Sequence, residues 1–474
     1  MFQIIMVENM YKRLMHLLPV ILSGIFFISF PVMAQDTLTV NLTQFIERGL
    51  QASGQVSYES RSVDLAQNRV SMAQAQRILP RIDFSSQHGV IPGVVSTDPR
   101  NLSPSQFYLD PNLENDWEDW AIFTRAELNA IQPIYSWGAI QSAINAARSG
   151  ARAAEFQFDA VKAEAELQLY ELYYSYLLAL EISRILDEAD REINRVEREL
   201  YRMREEGDPD LKESDIFKFE IFKSEFQVQR VEVREGMNFV NRIWNYALQA
   251  GPNQVFMPYE SFLDPIPFQL QEFEYYQHLA LNARPELKGV ESGIDALRSS
   301  LDAVKAQQYP TLFLGITGSY ANTPNRPRQS NPFIINNTNY ASGGVGFGIR
   351  QNLNFSGLRN SVDRAEIEYR RVGDLHKAVT DGITLEINER YREAVIAEVR
   401  VRQTEEALVT ARNWVRNEQL NYDIGFGDVE DLLDSVQKEL ELRLQLKQNI
   451  FDLNKRVAAL YKAGGIPIQQ LSLN

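Results

Sequence analysis

The sequence predicts a mainly α protein with a small β part, in which long antiparallel coiled-coil helices are joined to four strands of membrane-crossing length. Three observations predict it. Within two proline-free runs, 134–208 and 333–466, apolar residues recur at alternating steps of four and three, the spacing of a coiled-coil seam. Four other stretches alternate apolar with polar residues, the period of a two-faced strand. The whole layout also occurs twice along the 474 residues.

At the N-terminus, Lys12 and Arg13 precede an apolar run, 14–33, and small Ala34 stands before Gln35 and Asp36. This reads as a secretory signal, 1–34, cleaved after Ala34. A retained membrane anchor is the alternative, but Pro19 and Pro31 interrupt the short apolar core.

The first repeat spans 35–250. A helix over about 58–79 leads into a β-hairpin, 77–135. In its first strand Ile82 and Phe84 oppose Arg81, Asp83, Ser85 and Gln87; in its second, Ile122, Ala126, Leu128 and Ala130 oppose Arg125, Glu127 and Asn129. Each strand has about the 9 to 11 residues that a tilted membrane strand requires. The intervening 92–119, with Asp98, Asp110, Glu114, Asp116, Glu118 and Asp119, reads as an external loop. A helix over 138–206 follows, its seam running Ile140, Ile144, Ala147, Ala151 and onward to Ile193, Val196, Leu200 and Met203. At 1.5 Å per residue it is about 100 Å long. Gly207-Asp208-Pro209 turns the chain into a returning helix, 211–250.

A connector rich in proline and aromatics, 251–283, joins the halves. The second repeat, 284–463, holds a helix, a β-hairpin over 309–355 and a second long helical hairpin. Leu312, Leu314 and Ile316 oppose Gly315, Thr317 and Ser319, and Val345, Phe347 and Ile349 oppose Gly346, Gly348 and Arg350. The loop between them, 321–340, carries Arg326 and Arg328 and no acid. Gly425-Phe426-Gly427-Asp428 makes the second tip, and Val429, Leu433, Val436 and Leu440 continue the seam before a tail, 464–474. Acids open both returning helices, Asp210 and Glu213 in one and Asp428 and Asp431 in the other, where the helix dipole favours them. The repeat shows in Leu79-Pro80 against Tyr309-Pro310, and in Gln132 to Gly138 against Gln351 to Gly357.

Composition narrows the function. A net charge of −15 argues against nucleic acid as a partner, because phosphate contacts need clustered Lys and Arg. With no cysteine, disulfides, thiolate metal sites and an acylated-cysteine anchor are excluded. His88, His278 and His376 fall on different elements, so no catalytic or metal constellation emerges and no cofactor is expected. The Gly343 to Gly348 run lies inside a strand, where glycine allows curvature, and not in a phosphate-binding turn. Beyond residue 34 no run approaches the roughly 20 apolar residues of a membrane helix. If the mature chain crosses a membrane it does so as strands, and because four strands cannot close a barrel, several chains must share one.

At this point the sequence resembles the TolC family of outer-membrane efflux proteins over essentially all of the mature chain. The marks are Asn282-Ala283-Arg284-Pro285-Glu286-Leu287 opening a helix, the Leu-Pro and Tyr-Pro strand starts, Ser136-Trp137-Gly138 and Ser356-Gly357 after the strands, and Tyr422-Asp423-Ile424-Gly425 followed by Val429-Glu430-Asp431-Leu432-Leu433-Asp434. One departure is Ser53-Gly54-Gln55-Val56 where the first half lacks the Pro-Glu-Leu start.

The resemblance implies a homotrimer in the outer membrane of a Gram-negative bacterium, with a shared twelve-stranded β-barrel, a periplasmic α-barrel and an equatorial region formed by 251–283. It implies a passive exit duct that is not an enzyme, docking on a periplasmic membrane-fusion adaptor and an inner-membrane RND or ABC transporter. A type I protein-secretion duct and a periplasmic coiled-coil scaffold without a pore are the alternatives. It assigns Asp431, Asp434, Asp215 and Tyr422 to the periplasmic entrance, and Gly207, Asp208, Gly425, Phe426 and Gly427 to the adaptor-docking tips. The alternative for the acids is helix capping and solvation. Gly427 stands where the family has a latching arginine. Ile82, Phe84, Ala126, Leu128, Leu312, Leu314, Val345 and Phe347 are the residues expected to face outer-membrane lipid.

Overall fold

The computed structural model describes residues 36–97, 103–207, 211–251, 254–329, 331, 333–423 and 429–472. The signal segment 1–34 and the tip residues Asp208, Gly425, Phe426 and Gly427 lie outside the described residues.

The first repeat runs β1 (Asp36–Val40), α1 (Leu42–Ala52), α2 (Gly54–Ile78), β2 (Arg81–Ser96), β3 (Leu113–Tyr135), α3 (Ala139–Glu206) and α4 (Glu213–Ala247). The second runs β4 (Gln254–Pro258), α5 (Phe273–Ala283), α6 (Pro285–Ala306), β5 (Thr311–Asn322), β6 (Tyr340–Arg350), α7 (Phe355–Asp423) and α8 (Val429–Ala463). Helices dominate, and α3 and α7, of 68 and 69 residues, are each about 100 Å long. Among the described residues no helix is long and apolar enough to cross a membrane.

Helix lengths follow from where the chain is allowed to stop. α3 ends at Gly207, whose left-handed backbone (φ 66°) a side chain would strain. α2 and α4, of 25 and 35 residues, stack beside α3 and meet where Gln249 donates to the Ala52 carbonyl at 3.2 Å. α6 and α8 stack in the same way beside α7, meeting where Gly465 passes the Ala283 methyl. Ser53 supplies the helix start that the departure from Pro-Glu-Leu left open: its hydroxyl accepts from the Val56 amide at 3.3 Å.

Between the two tiers sits the largest core, built on Phe45, Ile46, Tyr173, Trp244, Leu263 and Val457. Trp244 is fully buried, and its indole N–H donates to the Leu172 carbonyl at 3.1 Å. β1 and β4 pair in parallel here as a two-stranded sheet that period counting did not reveal, because each strand has only five residues and its partner is more than two hundred positions away. The connector after β4 lies across α3 and α8. Buried Asn454 holds it twice, accepting from the Ile266 amide and donating to the Asp264 carbonyl, both at 3.0 Å, while Lys447 donates to the Leu263 carbonyl at 3.0 Å. Asn454→Ala removes both bonds and leaves buried backbone groups unpaired, so we expect a loss of about 2 kcal/mol and faster proteolysis within 259–268. Unchanged cleavage there would mean that the asparagine does not hold the connector.

Four strands form one antiparallel sheet in the order β2-β3-β5-β6. The first hairpin corrects the sequence reading: its strands have 16 and 23 residues, and much of the expected loop 92–119 is paired. Pro92 pairs with Trp120 and Gly93 with Asp116, a bulge that breaks the alternation and made the acidic stretch look like loop. Arg326 ties the second outer loop to this hairpin through the Pro92 carbonyl, at 2.7 and 2.9 Å, and Asn115, at 3.4 Å. The repeat is also looser than its alignment. Gln132 and Gln351 both donate to a carbonyl at the end of the preceding helix, Arg77 and Gln308, but Gly138 precedes α3 in a left-handed conformation whereas Gly357 lies within α7, which Asn354 caps.

Candidate functional site

The sheet sorts its residues by face. Ile82, Ala130, Ile316 and Val345 stand in one cross-strand row. Phe84 pairs with Leu128, Ala126 with Tyr320, Leu314 with Phe347 and Leu312 with Ile349, and paired residues share a face. All eight residues expected to meet lipid therefore lie on one surface, and Ile82, Phe84, Val345 and Phe347 are exposed. The other surface differs between hairpins. The first presents Arg81, Asp83, Ser85 and Gln87 against Asn129, Glu127 and Arg125; the second presents Gly315, Thr317 and Ser319 against Gly346, Gly344 and Ser342. The tip of the Phe313 ring lies over Gly348, where an added Cβ would stand 2.5 Å from Cζ.

Aromatic residues collect at the helix end of the sheet. Tyr135 meets Trp137 edge-on and Trp137 meets Tyr309 at a tilt, with ring centroids 5.1 and 5.2 Å apart, and the Trp137 indole donates to the Pro310 carbonyl at 2.8 Å. Of the other aromatics near the strand ends, Trp120 and Tyr320 lie in β3 and β5, whereas Phe355 opens α7; Tyr135, Trp137 and Tyr309 come from different repeats, so no single strand's alternation joins them. His88 lies on the apolar surface, hydrogen-bonded to Ser86 at 2.9 Å and Thr124 at 3.1 Å, far from His278 and His376 in the helices.

At the far end of the helices, α4 and α8 begin side by side against α3. Their first turns are pinned by a core of Leu200, Phe219, Phe226 and Val429, against which Tyr422 packs with its hydroxyl donating to Met203 Sδ at 3.0 Å. Asp431 and Asp434 are exposed. Asp215 departs from the entrance assignment: it is fully buried, accepting from the Lys212 amide and the Ser214 hydroxyl, each at 3.3 Å, so its carboxylate serves the start of α4. Glu430 pairs with Lys218 across the two helices, and Arg204 with Glu213 at 3.0 Å. Above this end, a groove of about 840 Å³ runs between α3, α4, α7 and α8, floored by Val196, Leu200, Phe222 and Leu433 and rimmed by Glu192 and Arg195.

Among the described residues two edges are unpartnered, and they coincide from tier to tier. The helices order as α2-α3-α6-α7 beside the sheet and α4-α3-α8-α7 toward the tips, so β2, α2 and α4 form one flank and β6 and α7 the other. Both flanks expose apolar residues: Tyr58, Leu65, Met72 and Leu79 recur every seven residues along α2 to its C-cap, Phe217, Ile221 and Val228 follow on α4, and Leu385, Val409 and Leu420 lie on α7.

Residues 277–465 match the sequence model of the outer membrane efflux protein family, which bears out the resemblance read from the motifs. No curated protein sequence matches the chain. Among solved structures, it is similar to the outer membrane protein VceC from Vibrio cholerae (18% identity, 90% of this chain and 96% of that chain, TM-score 0.68). It is similar also to the CmeC outer membrane channel of Campylobacter jejuni (14%, 90% and 85%, 0.68) and to the open MtrE outer membrane channel of Neisseria gonorrhoeae (12%, 90% and 89%, 0.68). The fold is that of these outer-membrane channel proteins.

Proposed function

We propose that the chain is one protomer of a homotrimeric outer-membrane exit duct in a tripartite efflux system, carrying substrates from an inner-membrane RND or ABC transporter across the periplasm and the outer membrane. The coincidence of open edges supports this reading best. A β2 edge and a β6 edge cannot both stay bare in lipid, and the two flanks differ, so they can be satisfied only head to tail around a ring. Three chains make the twelve-stranded barrel that the family resemblance implies. The apolar sheet surface then faces lipid and the polar surface faces the lumen. In this reading the helix tips dock a periplasmic adaptor, with the apolar-floored groove above them available to its helices.

Asp431 and Asp434 are proposed to line the periplasmic entrance with Tyr422 packed behind them, and Asp215 drops out because it is buried. The test is electrical. D431N/D434N keeps side-chain size and helix-start hydrogen bonding while removing two charges per chain. Reversal potentials in a salt gradient should show lower cation selectivity, and block by multivalent cations should weaken, with trimer stability nearly unchanged. An unchanged reversal potential removes both acids from the entrance. A monodisperse monomer in mild detergent would sink the duct itself.

A further inference from the structure

Lys218 stands between the first turns of α4 and α8. Lys218 is ion-paired with Glu430, and Asp434 follows Glu430 by four residues, one turn further along the same face of α8. Asp215 precedes Lys218 by three residues on α4. The lysine therefore sits among carboxylates of two helices, of which Asp215 is committed to its own helix start. The side chains of Lys218 and Glu430 are 48% and 44% exposed, so the pair is open to solvent and adds little stability. What it contributes is charge. The hydrogen bond that Lys218 donates to Glu430 raises the lysine above its ordinary range, burial acts the other way, and the fields of Glu430, Asp215 and Asp434 add to the rise. Lys218 stays positive across the physiological range.

Resting on the reading of this end as the duct's entrance, we infer that Lys218 sets the charge of that entrance, offsetting one carboxylate per chain and so limiting its preference for cations. An ion pair that merely tied α4 to α8 would predict something different. Breaking a tie from either side has the same consequence, whereas removing a positive or a negative charge from a constriction has opposite consequences.

The experiment compares the full-length native protein with K218Q, K218R and E430Q in planar bilayers bathed by a potassium chloride gradient. K218Q should raise the cation-to-anion permeability ratio about twofold, E430Q should lower it about twofold, and K218R should match the native channel, each shift shrinking as salt is raised. Shifts of the same sign in K218Q and E430Q, or no shift in either while the native channel conducts, overturn the inference. Absence of conductance in the native protein removes the duct reading, and the inference with it.

Discussion

Phe347→Arg should prevent assembly. Phe347 is 76% exposed in the single chain, and its cross-strand partner is Leu314 on the apolar surface. A guanidinium on the lipid side of a β-barrel costs about 2–4 kcal/mol near the bilayer midplane, and the proposed ring of three chains would incur it three times. The expected result is loss of the detergent-stable trimer from outer-membrane fractions, with Leu128→Arg behaving alike. The control belongs on the opposite surface at Asn129 or Thr317, which pair with each other and face the polar side. Gly348 is unsuitable as a control, because any side chain there collides with Phe313 and the defect would be steric. Equal tolerance of arginine on both surfaces would show that the faces are assigned the wrong way round.

The second large effect is expected at Arg284, in the lead-in to α6. Its side chain is only 5% exposed and it pairs with Glu286 at 2.6 Å and with Glu386 of α7. Removing one member of a buried charge cluster leaves the others uncompensated, so Arg284→Ala should cost about 3–5 kcal/mol in chemical denaturation followed by circular dichroism. Burial alone would raise the Glu286 carboxyl, but the hydrogen bond and charge of Arg284 outweigh it and hold the group below its ordinary value of 4.5. A depressed carboxylate stabilises the fold above its unfolded pKa, and that contribution is lost as pH falls through the folded value. The native protein should thus lose stability on acidification below about pH 4.5, and Arg284→Ala should lose less over the same interval. A variant with an unaltered acid limb would mean that the pairing carries no such linkage.

Periodic features were legible in the sequence. The heptad steps from Ile140 to Met203 gave α3 to within a residue, and strict alternation gave the face of every strand residue named. Pairings that depend on distant partners were not legible. The β1–β4 sheet joins two five-residue strands, and the Arg284 cluster draws on a glutamate in another helix about a hundred residues on. Bulges hid the rest of the first hairpin, since a register shift at Pro92 inverts the pattern that counting relies on. At the tip end of the helices, sequence spacing could not separate Asp215 from Asp431. Both follow a turn and open a helix, and only packing reveals that one carboxylate is buried and the other exposed.

The unlike polar surfaces of the two hairpins acquire a meaning once the sheet is closed into a ring. Arg81, Asp83, Glu127 and Arg125 stand on one hairpin, with Arg81 beside Asp83 at 3.2 Å and Arg125 beside Glu127 at 3.5 Å, while glycine, serine and threonine line most of the neighbouring one, which Phe313 and Arg350 occupy at its helix end. Around the circumference the inner wall becomes a sequence of textured and smooth staves. A solute passing along it would meet balanced charge on the textured staves, which can orient its dipoles without capturing either sign. On the smooth staves, past the Phe313–Arg350 contact, it would meet little more than backbone, which widens the bore and offers few side chains to adhere to. In the duct proposed above, such a wall would suit traffic of varied chemistry: a conduit that chooses little and retains less.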